Sequence, residues 1–555
     1  MADLNSSFSG QYKPLIQANF WWSITAIIIS AFILLPVLSV IFLALFPADN
    51  IWPHLISTTL PRYISTTVLL MISVGVLAGI VGTFTAWFVV RYSFTGSSWL
   101  QWALLMPLAI PGYVGAYALV DLLEYAGPVQ STLRGVFGWS SSQDYWFPEI
   151  RSFGAAVFVL SLALYPYVYL LTRVAFRDQA SSVEEVARSL GASSYKRLFI
   201  INLPLARPAI AAGVAIVMME TVNDFGTVDY FAVQTLTTGI FSVWLQSSNV
   251  GGAAQLACVV LAMIILLVSL EKLSRRKMQF FNMSSKHNKV TKIKLKGFSN
   301  LLAFSCCFVP VLLGFALPLI VLAEHSMSNP KLFLDRALID ATWNTVFTGT
   351  IAAAFTVVLS IFMVFGMKSI KGRLPKITMP ITTIGYAVPG AVLGVGILIP
   401  LAALDNGLAD VIYYITQIDI GLIFTGTSFA IILAYIVRFF AIGQGATEAA
   451  LGRISPNLEH AARSLGKSRM SVLNRIHLPI IKGSLGSAML LVFVDCVKEL
   501  PATLLLRPFN FNTLSTRVHE QASLEDLVNA APAAIYISLV GLCAVVLLAK
   551  TNKLD

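Results

Sequence analysis

The chain has 555 residues, of which 57% are hydrophobic and only 12% charged, and its mean hydropathy is +0.78. A soluble globular protein of that length does not stay in water with so few charges, so the composition excludes a cytosolic enzyme and makes a bilayer the solvent. The formal charge of +11 then becomes a question of where the basic residues sit, because no aromatic interleaving marks a nucleic-acid partner.

A hydrocarbon core about 30 Å thick takes roughly 20 apolar residues per helix. Twelve such stretches are predicted. The first six run approximately Trp22 to Phe46, Ile64 to Val90, Leu100 to Leu123, Phe153 to Leu171, Pro208 to Phe225 and Ala253 to Leu270. The second six run Leu301 to Leu322, Val346 to Met367, Ile377 to Leu401, Leu422 to Val437, Leu485 to Val497 and Ala531 to Ala549. The stretches at Leu422 and Leu485 are short, so they must borrow flanking residues or lie against protein. The first is too long for a signal h-region and no small-residue cleavage site follows it, so it is expected to remain in the mature chain.

If the N-terminus is cytoplasmic, the loops after even-numbered stretches hold most of the Lys and Arg residues. They include Arg173, Arg177, Arg188, Lys196 and Arg197, the group from Lys272 to Lys296, and a group from Arg438 to Lys482. The opposite loops hold only Arg62, Arg134, Arg151, Lys331, Arg336, Arg507 and Arg517. This asymmetry predicts both termini on the cytoplasmic side. The five cysteines fall in or beside apolar stretches and are read as packing groups. No CxxC or Cys/His metal spacing occurs, so the cysteines themselves point to no metal site.

One segment is repeated. Glu184 to Pro204 aligns without gaps on Glu459 to Pro479 at a constant offset of 275 residues, with eleven of twenty-one positions identical. Each copy follows the fourth stretch of its half, which divides the chain into a first half at 1–271, a basic linker at 272–298 and a second half at 299–555. The halves then run in the same orientation, with a pathway expected between them. The predicted fold class is an all-α polytopic membrane protein with about twelve transmembrane helices in two parallel six-helix halves.

Within the repeat, Val186 and Leu190 are spaced for one helical face, and Gly191 supplies a stop. A second helical segment through Leu198 and Ile201 is expected to end near Pro204. The product is a helix-turn-helix knob on the cytoplasmic side, twice per chain. A weaker echo pairs Met106-Pro107 and Pro111-Gly112 with Met379-Pro380 and Pro389-Gly390. Two readings of these prolines stand, helices broken near the midplane or kinks that serve packing alone.

Ionisable groups at membrane depth are costly and therefore functional candidates. Glu220 and Asp224, and at the aligned positions Asp495 and Glu499, are four residues apart and share a helical face near the outer end of the fifth and eleventh stretches. A ring of these carboxylates would suit a hard cation such as Fe3+. The other reading is structural: Lys498 can neutralise Asp495, and outer carboxylates can be solvated or meet a docking protein. Leu465-Gly466-Lys467-Ser468 is the tail of a phosphate-loop pattern, but Ala461 stands where its first glycine is required, so ATP is not expected to bind here. The six histidines show no ligand spacing.

Glu-x-Ala-x-x-x-Gly, nine residues, then Ile-x-Leu-Pro resembles the EAA loop of binding-protein-dependent ABC importer permeases. The first copy fits it through Glu185, Ala187, Gly191, Ile201, Leu203 and Pro204. In the second copy His460 holds the aligned glutamate position and Glu459 lies one residue earlier. The resemblance implies a type I ABC importer permease (MetI-like) fold in a bacterial cytoplasmic membrane. It also implies that Glu184, Glu185, Ala187, Gly191, Pro204, Glu459, Ala462, Gly466 and Pro479 couple to two separate ATPase subunits, and that an external binding protein delivers the substrate. No cofactor would be bound by this chain, and ATP would be used by the partners. Glu220 to Ile240 and Asp495 to Val518 further resemble segments of fused, tandem permeases of the ferric-iron type. Thiamine and phosphonate permeases share that fused layout. An ATPase-independent channel or carrier, or a membrane enzyme, has no reason to keep two docking knobs.

Overall fold

The computed structural model describes residues 12–179, 186–187, 189–276, 292–368, 370, 373–383, 385, 388–419 and 421–551. Among these, eleven helices are long and apolar enough to cross a membrane, and a pair bent by 92°, Ser97–Ala109 with Gly112–Phe137, makes a twelfth span. In chain order the spans are Trp21–Leu45, Leu60–Arg91, the bent pair, Phe153–Arg177, Tyr195–Asn223, Val250–Leu270, Phe298–Ser328, Arg336–Met367, Gly390–Thr416, Ser428–Gly452, Arg469–Lys498 and Leu527–Leu547. Helices are what an apolar solvent demands, since every backbone N–H and C=O must be satisfied within the segment.

The fifth and eleventh spans are longer than predicted because the proline expected to end a helix does not. Tyr195–Asn223 runs through Pro204, and Arg469–Lys498 runs through Pro479. In each the turn before the proline is a π turn, Leu198–Asn202 and Leu473–His477, closed by Leu203 N donating to Leu198 O and Leu478 N to Leu473 O. A proline ring clashes with the carbonyl four residues back; one extra residue in the turn moves that carbonyl aside, so the helix continues instead of breaking. The seventh span repeats the device, with the π turn Leu312–Ala316 followed by Leu317 and Pro318. The ninth span starts later than expected. Leu374–Thr382 is a separate helix, and the spanning helix begins at Gly390 behind Pro389.

The described chain forms two compact units that divide it differently from the sequence repeat. One contains Met1–Ala48 and Asp340–Thr513; the other contains Asp49–Ile339 and Leu514–Asp555. The first span therefore packs with helices of the second half. Close approach against it is made by glycines: a Cβ on Gly366 would collide with the Trp22 carbonyl, and one on Gly396 with the Pro36 carbonyl. Trp22 closes the contact by packing edge-on against Phe365, with ring centroids 4.9 Å apart. In the other unit the second, fourth and fifth spans meet the same way. Gly82 lies against the backbone of Tyr165 and Tyr169, and Gly213 against Val168.

The strands among the described residues are β1, Tyr92–Ser93, and β2, Ile293–Lys294, paired in parallel with Tyr92 opposite Ile293. Leu295 N adds a hydrogen bond to Ser93 O at 3.0 Å. The end of the basic linker is thereby fixed to the loop that follows the second span.

Candidate functional site

The repeated loop is built the same way twice. The helix through Val186 and Ala187 stops at Gly191, φ +78°, and the helix Pro456–Ser464 stops before Gly466, φ +74°. Ala192 N donates to Ala187 O at 3.0 Å and Lys467 N to Ala462 O at 3.1 Å, the six-to-one bond of a Schellman closure. Only glycine takes that φ without a Cβ penalty. A serine then caps the next helix in both copies: Lys196 N donates to Ser193 Oγ at 3.3 Å, and Ser471 N to Ser468 Oγ at 3.2 Å.

The apolar face expected at Val186 and Leu190 does not turn inward. The small residues do, Ala187 at 8% exposed and Ala462 at 7%, while Leu190 and Leu465 stand at the tips, 81% and 79% exposed. A leucine held outward by a left-handed glycine, at matching positions in two copies, is an apolar contact without a cover of its own. Glu459 lies in the first turn of its helix, where a carboxylate favours the helix dipole. Glu184 and Glu185 lie outside the described residues.

The second candidate site joins two features that were separate in the sequence, the Pro-Gly breaks and the acids. Asp224 follows the fifth span in extended backbone, φ −68°, ψ 132°, and Glu499 follows the eleventh, φ −69°, ψ 122°. Asp224 Oδ1 accepts from Thr227 N at 3.0 Å and Val228 N at 3.1 Å, and its Oδ2 from Thr227 Oγ1 at 2.9 Å. Glu499 accepts from Ala502 N at 3.0 Å, Thr503 N at 3.0 Å and Thr503 Oγ1 at 2.8 Å. Each acid thus satisfies the orphan amides of the short helix after its span, Gly226–Tyr230 or Pro501–Leu506.

Against each carboxylate lies the start of a broken helix. Pro111 and Pro389 enter with nearly equal angles, φ −59°, ψ 146° and φ −56°, ψ 144°. A Cβ on Gly112 would come 3.0 Å from Thr227 Oγ1; one on Gly390 would collide with Glu499 Oε1 and the Arg438 guanidinium. Glu220 and Asp495 stand one turn earlier and are half-buried.

Arg438, which the sequence grouped with the cytoplasmic basic residues, lies inside the tenth span and pairs with Glu499 at 3.4 Å, the two side chains 11% and 1% exposed. The first charge after an apolar run closed the predicted stretch too early, since the helix continues to Gly452. Asp405 was missed for the same reason: it is fully buried and accepts from Ile423 N, Phe424 N and Thr425 N at 2.6 to 2.9 Å, anchoring the loop before the tenth span. His325, read as scattered, places Nε2 2.8 Å from Asp121 Oδ2. No sequence spacing marks that pair, because the fold alone joins the two helices.

The sequence signature of the family "binding-protein-dependent transport system inner membrane component" matches residues 75–280 and again 363–552. The Fe(3+)-transport system permease protein FbpB 2 of Haemophilus influenzae is 26% identical over 538 residues, covering 96% of this chain and 98% of that protein. The molybdenum transport system permease protein ModB of Escherichia coli is 29% identical over 207 residues, 35% of this chain and 86% of that one. A bacterial alginate ABC transporter, solved in complex with an alginate-bound periplasmic protein, aligns with 44% of this chain and 91% of the matched chain at 17% identity and a TM-score of 0.36. With the family domain present twice and covering most of its length, this chain belongs to the inner membrane components of binding-protein-dependent transport systems, with both membrane domains in one polypeptide.

Proposed function

We propose that the chain is the translocation subunit of an ATP-driven importer for ferric iron. In this reading two separate ATPase subunits engage the knobs at Gly191 and Gly466, an external binding protein delivers the ion, and ATP-driven closure of the ATPases switches the access of the pathway from one side to the other. Both termini and both knobs face the cytoplasm. The observation that carries the coupling role is the pair of tip leucines, exposed to the same degree on the same glycine-closed turn in both copies. Iron is favoured because the whole-length relative is named for Fe(3+) transport, whereas the molybdenum permease matches about one third of the chain.

The acids Glu220, Asp224, Asp495 and Glu499 are proposed to serve the pathway, with Asp224 and Glu499 acting through the backbone they cap. Their hydrogen bonds to Thr227, Val228, Ala502 and Thr503 support that share of the work. Oxygen donors remain the chemistry a hard trivalent cation requires.

The coupling reading is tested with Leu190→Asp/Leu465→Asp. Placing a charge in a desolvated contact costs about 2 kcal/mol or more at each knob. ATPase co-purification and uptake of radiolabelled ferric iron should therefore be lost while the chain stays folded in the membrane. Wild-type uptake by the double variant would overturn the docking assignment. Chain-dependent uptake of molybdate without any of iron would overturn the cargo.

A further inference from the structure

Residues near the ends of three spans, Val90, Phe176 and Phe304, share one core cluster with Tyr92 of β1 and Ile293 of β2. The second stops at Arg91, the fourth at Arg177, and the seventh begins at Phe298. Here β2 and its flanks alternate as a half-buried strand does: Ile293 and Leu295 pack on the core beside Tyr92 and Phe94, while Lys292, Lys294 and Lys296 project outward. Arg173 and Arg177 lie one turn apart on the fourth span. Arg173 is held in place, its guanidinium 4.7 Å from the Trp102 ring centroid and Nη2 donating to Gln101 Oε1 at 3.0 Å.

Lys292, at the start of the lysine row, lies within electrostatic reach of both arginines. Lys292 is exposed as a residue, yet its ammonium is partly desolvated, and that burial together with the Arg173 and Arg177 charges pushes it below its ordinary value. Among the described residues no acid pairs with Arg173, Arg177, Lys292, Lys294 or Lys296. Like charges gathered without an acid are costly unless an anion from outside joins them. Trp99 stands exposed just past β1, and Trp87 packs edge-on against Tyr92 with ring centroids 5.0 Å apart. Aromatic rings of this kind mark the headgroup level of a membrane.

We propose that the face formed by Arg177, Lys292, Lys294 and Lys296, with the buried Arg173 beside Lys292, binds the phosphate headgroup of an anionic phospholipid. The ends of three spans put the cations where headgroups lie, and the strand pairing holds the lysines in a fixed row. The lipid would clamp the returning end of the linker to the bilayer. The assignment does not depend on the cargo or on which leaflet is cytoplasmic.

The full chain in nanodiscs of phosphatidylcholine with added phosphatidylglycerol tests it, with bound lipids counted by native mass spectrometry. K292Q/K294Q/K296Q should lose phosphatidylglycerol affinity by about fivefold per lysine removed. K292R/K294R/K296R should retain it, and Lys331→Gln, near the other end of the seventh span, should change nothing. Equal phosphatidylglycerol retention by the Gln variant, or equal retention of phosphatidylcholine by the wild type, would overturn the proposal. Displacement of the lipid by inorganic phosphate at matched concentration would also overturn it, by assigning the face to a soluble anion.

Discussion

At the end of the fifth span Asp224 holds Thr227 and Val228, and at the end of the eleventh Glu499 holds Ala502 and Thr503, positions one repeat length apart. The backbone angles of the two acids nearly coincide, and each faces the first glycine of a helix that begins behind a proline. The charge does not coincide. Glu499 is paired with Arg438, whereas the position one repeat earlier is Ala163, and among the described residues no base pairs with Asp224. What the two halves share is a carboxylate that satisfies orphan amides. The neutralising arginine belongs to one half only, so backbone accounting is the common requirement and charge balance a local addition.

The largest expected effect breaks the added part. Arg438→Met leaves Glu499 buried and uncompensated, which costs about 3 to 5 kcal/mol. It should lower the melting temperature of the detergent-solubilised chain more than any change around Asp224. Arg438→Met/Glu499→Gln should recover most of that loss, because removing both partners costs far less than removing one. A double variant no better than the single would mean that the pair is not the source of the effect.

The middle effect sharpens the shared part. Gly390→Ala drives a methyl into Glu499 and Arg438 and should cost about 1 to 3 kcal/mol. Gly112→Ala meets Thr227 Oγ1 at 3.0 Å, which a small shift relieves, so its melting temperature should fall visibly less. Equal shifts would show that the two breaks are packed alike despite their different charges. The smallest effect is Asp224→Asn, which keeps one accepting oxygen and should cost about 1 kcal/mol, the loss of part of a helix cap. Glu499→Gln should cost more, since it also strands Arg438.

Much of this was legible in the sequence where one residue type has one physical use. Gly191 and Gly466 were expected to stop helices, and both take the left-handed turn that only glycine adopts freely. The Pro-Gly echoes, for which breakage and packing stood side by side, are at Pro111-Gly112 and Pro389-Gly390 the starts of new helices. Less legible was anything decided by neighbours distant in the chain. Pro204 reads as a helix end, and only the preceding π turn lets the helix pass. Arg438 reads as a loop residue until Glu499 is seen beside it. The acids in the fifth and eleventh spans were singled out by their membrane cost, but that cost says nothing of the amides they cap.

The first span belongs to the compact unit built from Asp340–Thr513, not to the helices that directly follow it. During synthesis it must wait while the chain between Ala48 and Asp340 is made, on the order of 15 to 60 s at about 5 to 20 residues per second. Through that interval its glycine-matched face has only lipid or a temporary chaperone against it. A gene cut within the linker would place that helix and its seat on different polypeptides, so the two products would have to associate before that unit could be completed.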